Sequence, residues 1–454
     1  MNPLIFREYD IRGLVEQDLT PDTVERIGKA IGTFIRRQGG QTLTLGWDVR
    51  GSSETFREIL GRAFNATGCN VIEIGRVSTP VSYFSLHHLQ PDGGVMITGS
   101  HNPAEYNGFK ISCGTQSLYG ENIQALKRLI EKEDFESGSG STRREDIDEA
   151  YITAIKQRIR FERPVKVVVD GGNGCFGLLG PRLLRELGLE PIEQFCEPDG
   201  AFPNHHPDPT VEKYMVPLME RVTQESAELG IGFDGDMDRL GVVDEGGRLM
   251  WGDQLLILFA REVLKNHPGT AVVGEVKCSQ NLYDDIRKHG GQPVMSAAGH
   301  SLIKKKMKET RALLAGEMSG HMCFADDYFG YDDALYAACR LLRIVANSPT
   351  PLSAMLADLP PAHNTPEIRI DCPDDLKFHI VQELTETFRQ DHEVIDIDGV
   401  RVNFQGGWAL VRASNTQPVL VLRAEAQSPE RLDEIKAHLM KKLERYAPAI
   451  KVEF

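Results

Sequence analysis

Three times along the chain a short apolar run ends in a Gly or Asp turn, and about forty to sixty-five residues later another run does the same. The first set is TLTLGWDVRGSS at Thr42, VKVVVDGGNGCFG at Val165 and TAVVGEVKCS at Thr270. The second is GGVMITGSHNP at Gly93, LGIGFDGDMDR at Leu229 and ALLAGEMSGH at Ala312. Segments of helical period, such as TFREILGRAFNATG and PLMERVTQESAELG, lie between them. Strand, turn, helix, strand is the βαβ unit, so three similar α/β domains are expected. In open α/β sheets ligands gather at the carboxyl ends of the strands, where these turns fall.

The last block differs. EIRIDC, a helical stretch from about Lys377 to Arg389, VIDIDGVRVNF, WALVRAS and PVLVLRAEA precede a final helix after Ser428 and Pro429. Asp398-Gly399 is a hairpin signal, and Ser428 with Pro429 reads as N-cap and N1. This predicts a smaller C-terminal α+β domain. Breaks fall in the Gly/Ser-rich stretch from Ser137 to Asp146, in DEGGRLMWGDQ after Asp244, and in the proline-rich segment from Asn347 to Pro366. At roughly 150 residues per domain, 454 residues suit about three domains, with two or four allowed. The breaks give four segments, 1–143, 144–246, 247–360 and 361–454.

Apolar residues at 41% and charged residues at 26% suit a folded chain. The net charge of −15 disfavours a polyanion-binding surface, so no nucleic-acid partner is expected, although basic residues converging in a cleft can still hold a small anion. Eight scattered cysteines without a CxxC spacing favour reduced thiols over disulfides or a zinc site. The N-terminus lacks the pattern of a signal peptide, and no apolar run approaches the ~20 residues of a membrane span. A cytoplasmic protein without a membrane partner is expected.

Asp234, Asp236 and Asp238 alternate on a turn after the apolar LGIGF, and three carboxylates that can aim at one point suit a hard divalent cation. A solvated acidic turn is the alternative. An EF-hand loop fails, because Arg239 stands where Gly is needed and a strand-like run precedes the loop. Ser100 sits in TGSHNP on a Gly-preceded turn where backbone N–H groups can hold a phosphate; a plain loop is the competing reading. His101 is adjacent, and adjacent side chains seldom face each other, so a Ser-His dyad is not implied. Glu317 and Ser319 in GEMSGH can serve sugar hydroxyls, and Arg412 with Ser414, Asn415 and Thr416 can grip a phosphate, yet both are also ordinary turns. The lysine run from Lys304 to Lys308 reads as a solvated helical face, His205-His206 as a rigid loop, and DGGNG at Asp170 lacks the dinucleotide spacing.

FREYDIRG (Phe6 to Gly13), TGSHNP, DGDMDR (Asp234 to Arg239), GEMSGH (Gly316 to His321) and RASNTQP (Arg412 to Pro418) occur together and in this order. Together they resemble the α-D-phosphohexomutases, specifically the bacterial phosphomannomutase/phosphoglucomutase branch. The resemblance spans the whole chain and implies three topologically similar α/β domains plus the smaller C-terminal α+β domain. It implies a heart shape around a central cleft, with a phosphoserine loop, a metal loop, a sugar loop and a phosphate loop from the four segments in turn. The implied reaction interconverts hexose 6-phosphate and hexose 1-phosphate, of mannose or glucose, through a hexose 1,6-bisphosphate that also serves as activator. Ser100 matches the phosphoserine, and Asp234, Asp236, Asp238 and Ser100 the ligands of one Mg²⁺. Arg12, His101 and Lys110 match the catalytic surroundings of Ser100, with Lys110 favoured for proton transfer. Tyr9, Arg239, Lys277, His300, Glu317 and Ser319 match substrate contacts, and Arg412, Ser414, Asn415 and Thr416 the grip on the non-reacting phosphate. A monomer or weak dimer is expected. A phosphoglucosamine mutase, a Mg²⁺-dependent sugar phosphohydrolase and a non-catalytic sugar-phosphate sensor are the alternatives.

Overall fold

The computed structural model describes residues 1–414, 418–447 and 450. Two compact units are formed: residues 1–262 with 319–356, and residues 263–318 with 357–454.

In the first unit, the strands Ile11–Leu14, Tyr106–Cys113, Gly93–Ile97, Thr42–Trp47, Asn70–Arg76 and Thr142–Arg144 follow one another across a sheet. Thr42–Trp47 runs parallel to both its neighbours, as a βαβ crossover requires, while Tyr106–Cys113 is antiparallel to the strands on either side of it. The helix Pro21–Arg37 begins where Thr20 accepts from the Thr23 amide and Pro21 supplies a preset φ. Ile27, Ile31 and Ile35 repeat at four-residue spacing on its buried side. They join Leu43, Leu45 and Val95 of the sheet in one core.

The Gly/Ser-rich stretch from Ser137 to Asp146 is more than a connector. Thr142–Arg144 pairs with Val71 to Glu73 as the sheet's last strand. A second sheet in this unit carries Val167–Asp170 parallel to Leu229–Phe233 and Ile192–Gln194, with Leu240–Asp244 and Leu249–Met250 added antiparallel. Each of the central runs is buried end to end, as expected of strands covered on both faces.

In the second unit, Ala271–Glu275 lies parallel between Gln292–Ser296 and Leu314–Gly316. The C-terminal part is an antiparallel sheet with the helices Asp374–Phe388 and Pro429–Leu443 against it. Ser428 caps the last helix by accepting from the Arg431 amide. Period-two alternation in Val419–Ala426 divides the strand: Leu420, Leu422, Ala424 and Ala426 enter the core with the helices, leaving Val421, Arg423 and Glu425 on the other face. That face meets the loop after Ala271–Glu275. Arg401 donates to the carbonyls of Val276 (2.6 Å) and Cys278 (2.9 Å) while its guanidinium lies 3.7 Å from the Trp408 ring centroid. Among the described residues, no helix is long and apolar enough to cross a membrane. The fold is thus three α/β domains and an antiparallel C-terminal domain of the anticipated class.

Candidate active site

Two strand ends of the first unit converge on one point. Gly93–Ile97 delivers Ser100, and Leu229–Phe233 delivers the acidic turn. Ser100 has a φ of 50° and Met237 one of 65°, so both loop tips hold a non-glycine residue in the left-handed region. Such conformations persist where surrounding structure enforces them, and they cluster at functional sites. The loops touch at Gly235, where a Cβ would stand 2.5 Å from the Ser100 carbonyl oxygen.

The Ser100 hydroxyl is buried and donates to Asp234 Oδ2 at 3.1 Å. The His101 ring does face it, with Nδ1 3.1 Å from Ser100 Oγ, contrary to the expectation from adjacency. The left-handed turn at Ser100 brings the neighbouring side chains to one side. Desolvation, reinforced by Arg239 and Arg12, holds His101 well below the usual imidazole range, so it is neutral. Arg12 lies in the strand Ile11–Leu14 and donates to Asn102 Oδ1 at 2.6 Å and Asp10 Oδ2 at 2.5 Å. Tyr9, just before it, is half-buried.

Asp234, Asp236 and Asp238 are all buried, and their oxygens lie within 4.8 Å of one another. Burial, and then the two neighbouring carboxylates, push the Asp234 carboxyl well above its ordinary range. Lys110 Nζ sits 2.7 Å from Asp236 Oδ2 and also bonds Asp238. Burial alone would favour a neutral amine, but the two carboxylates outweigh it and hold Lys110 protonated. One ammonium does not balance three carboxylates, and Asp236 Oδ1 is buried with no hydrogen-bond partner among the described residues. An orphaned buried carboxylate oxygen beside two further acidic ligands fits a hard divalent cation.

Three contributors were not legible in the sequence. Thr79, at the start of the helix Thr79–His88, donates from Oγ1 to Asp236 Oδ2 at 2.5 Å, and its amide donates to the Asp236 carbonyl at 3.0 Å. His321 Nε2 lies 3.2 Å from Arg239 Nε and 3.4 Å from Asp238 Oδ1, while Ser319 Oγ lies 3.3 Å from His321 Nδ1. Asp332 joins Asp238 and His321 in a second buried acidic group. His321 ends a motif that signalled only Glu317 and Ser319; Thr79 and Asp332 stand in segments without any site signal.

The remaining sequence candidates form a group in the second unit. Lys277 Nζ is 3.1 Å from Glu367 Oε2 and 3.9 Å from Glu275 Oε1. Lys277 first, then Arg369, depresses Glu367 to about 2, and burial raises Glu275. Glu317 accepts from the Gly299 amide at 2.5 Å, at the start of the helix His300–Thr310, where His300 is buried. Arg412 donates to Asp398 Oδ2 at 3.0 Å, an oxygen that also accepts from the Ala298 amide. Ser414 is buried beyond it, while Asn415 and Thr416 lie outside the described residues. Cations and carboxylates interleaved in this way can address hydroxyl and phosphate groups together. GEMSGH straddles the two units, with Glu317 in one and Ser319 in the other.

Comparisons with known proteins agree along the chain. Family profiles for phosphoglucomutase/phosphomannomutase match in succession: alpha/beta/alpha domain I over residues 3–137, domain II over 149–247, domain III over 251–363 and the C-terminal domain over 367–442. The chain is 45% identical over 451 residues to a phosphomannomutase/phosphoglucomutase of Pseudomonas aeruginosa, covering 99% of this chain and 97% of that protein. It is 43% identical over 436 residues to a phosphoglucomutase of Neisseria meningitidis, covering 95% of each. A crystal structure of a phosphoglucomutase/phosphomannomutase family protein from Burkholderia thailandensis superposes with a TM-score of 0.93, at 40% identity and full coverage of both chains.

Proposed function

Since this chain belongs to the phosphoglucomutase/phosphomannomutase family, we propose that it is an isomerase interconverting hexose 6-phosphate and hexose 1-phosphate, of mannose and glucose, with Ser100 as phosphate carrier. The observation that carries this reading is the buried Ser100 hydroxyl 3.1 Å from Asp234, beside two more buried aspartates and the Lys110 ammonium. The phosphoryl group passes from Ser100 Oγ to a sugar hydroxyl: a P–O bond to the sugar forms as the P–Oγ bond breaks. The resulting 1,6-bisphosphate returns its other phosphate to Ser100. Asp234, Asp236 and Asp238, with a phosphate oxygen on Ser100, would hold Mg²⁺, which when bound offsets phosphoryl charge.

Transfer between oxygens is chiefly positioning and charge neutralisation, and these residues supply both. Lys110, held protonated, is a donor toward phosphoryl oxygens and can return a proton to a leaving oxygen. Neutral His101, 3.1 Å from Ser100 Oγ, is able to accept one. Arg12 and Arg239 add fixed positive charge. In the second unit we assign Lys277, His300 and Glu317 to the sugar, with Tyr9 and Ser319 from the first, and Arg412 and Ser414, together with Asn415 and Thr416, to the non-reacting phosphate. The segments 1–143, 144–246, 247–360 and 361–454 are the domains we assign to these loops. The names of the 43–45% identical relatives do not favour the glucosamine-phosphate or hydrolase alternatives. Eight free cysteines support a reducing, cytoplasmic setting, and we take the protein to act as a monomer or weak dimer without nucleic-acid or membrane partners.

Intact-mass analysis after incubation with glucose 1,6-bisphosphate tests the reading. One phosphate is expected on the native chain and none on Ser100→Ala, whose turnover of mannose 1-phosphate and glucose 1-phosphate is expected to fall to background. Unchanged turnover by Ser100→Ala would refute it.

A further inference from the structure

The loop that carries Ser100 is held by a side chain far from it in sequence. Arg50 follows the strand Thr42–Trp47, in the turn Asp48-Val49-Arg50, and its side chain is 0% exposed. Its Nη1 donates to the carbonyls of Pro103 at 2.6 Å and Tyr106 at 3.0 Å. Its Nη2 donates to those of Ser100 at 2.8 Å and Asn102 at 2.6 Å. Four main-chain carbonyls between Ser100 and Tyr106 therefore converge on one planar fork.

The fork is itself fixed on its other sides. Arg50 Nε lies 3.2 Å from Asp48 Oδ2, and the Phe202 ring centroid is 5.0 Å from the guanidinium carbon. Asp48 also accepts from the Ser53 hydroxyl at 2.6 Å and the Arg50 amide at 3.0 Å, so the carboxylate is anchored before it meets the guanidinium. Gly99 lies against the fork, and a Cβ there would stand 2.7 Å from Arg50 Cζ and Nε. The glycine before Ser100 thus leaves room for the guanidinium, with no positive φ required of it.

A left-handed serine is unfavourable unless its neighbours over-determine it, and carbonyl capture at residues 100 and 102 brackets that conformation. We infer that Arg50 is a positioning residue for phosphoryl transfer, its guanidinium locking the Ser100–Tyr106 loop so that Ser100 Oγ stays aimed at Asp234. The inference rests on the reading of Ser100 as phosphate carrier. Arg50 bonds the loop only through main-chain carbonyls, so its effect runs through the geometry of Ser100. Lysine cannot replace it: an ammonium presents three N–H groups from one point and cannot address four carbonyls on two sides.

The test is single-turnover phosphorylation of dephosphorylated enzyme by glucose 1,6-bisphosphate, quenched in time and read by intact mass, with steady-state KM for glucose 1-phosphate alongside. For Arg50→Lys the rate constant and kcat are expected to fall on the order of 10²-fold, the scale for a reacting group displaced by about 1 Å, with KM within about twofold. Loss of fold alone would lower the amplitude and leave the rate constant unchanged; that result overturns the inference. If Arg50→Lys yields no folded protein, Asp48→Asn keeps the shape beside Nε and removes its charge. Its rate constant is expected to fall about tenfold, and a native one is equally fatal. A native chain that never takes up phosphate refutes the Ser100 reading and this inference with it. A phosphorylated native chain beside an equally fast variant overturns this inference alone.

Discussion

Ser100 shows what a single φ angle contributes. At +50° it turns His101 back onto the hydroxyl, a juxtaposition that residue order argues against. Gly99→Ala should expose how little room the turn has, since the added carbon meets Arg50 at 2.7 Å and the Tyr106 carbonyl at 2.9 Å. A fall in kcat of at least about tenfold in the coupled mutase assay is expected, on the scale of a reacting group moved by a fraction of an ångström. Thr79→Val should remove a donor from buried Asp236 and cost about 1–3 kcal/mol in urea unfolding, with weaker Mg²⁺ binding in a calorimetric titration. An unaltered urea midpoint would show that Thr79 adds nothing. Ser100 and the three aspartates were legible because each motif is contiguous and its chemistry local. Arg50 and Thr79 were not, because each acts across a gap that only folding closes: 50 residues from Arg50 to Ser100, and 157 from Thr79 to Asp236.

The helix Ala334–Ala346 starts on a residue with two duties. Asp333 accepts from the Tyr336 amide at 2.9 Å as N-cap, and from the Tyr151 hydroxyl at 3.0 Å and the Tyr328 hydroxyl at 2.8 Å. Burial nevertheless raises its carboxyl from the ordinary 3.8 to about 6. A folded-state pKa above the unfolded one means that this group's contribution is fully present below about pH 3.8 and is lost as pH rises through about 6. Two units of pKa correspond to about 3 kcal/mol. Asp333→Asn keeps a good cap and removes the buried charge. The variant is expected to be more stable than the native chain at pH 7–8, with the advantage vanishing near pH 4; urea midpoints across that range would show it. At this scale the apolar runs at Thr42, Gly93, Leu229 and Thr270 announced their strands, and Ser428-Pro429 its helix. Thr142–Arg144 did not announce itself, because three exposed polar residues at a sheet edge carry no alternation to read.

Across the whole molecule, contacts gather the chain into two compact units, with one boundary between Met318 and Ser319 inside one motif. Pattern in a sequence marks elements, whereas the grouping of elements depends on contacts such as those of Arg401 with Val276 and Cys278. All three aspartates lie in the first unit. In scanning calorimetry, Mg²⁺ at a hundredfold over its dissociation constant should therefore stabilise the protein by about 2.7 kcal/mol, with EDTA reversing the shift. The same division bears on how the protein is made. Residues 319–356 belong to the first unit, and the Ala334 amide donates to the Met237 carbonyl at 3.3 Å within the acidic turn. A nascent chain emerging from the ribosome has every strand of its first two sheets in hand by residue 250, yet must wait about a hundred residues more for the helix Ala334–Ala346, which packs against the strand Leu240–Asp244 and the helix Phe176–Glu186.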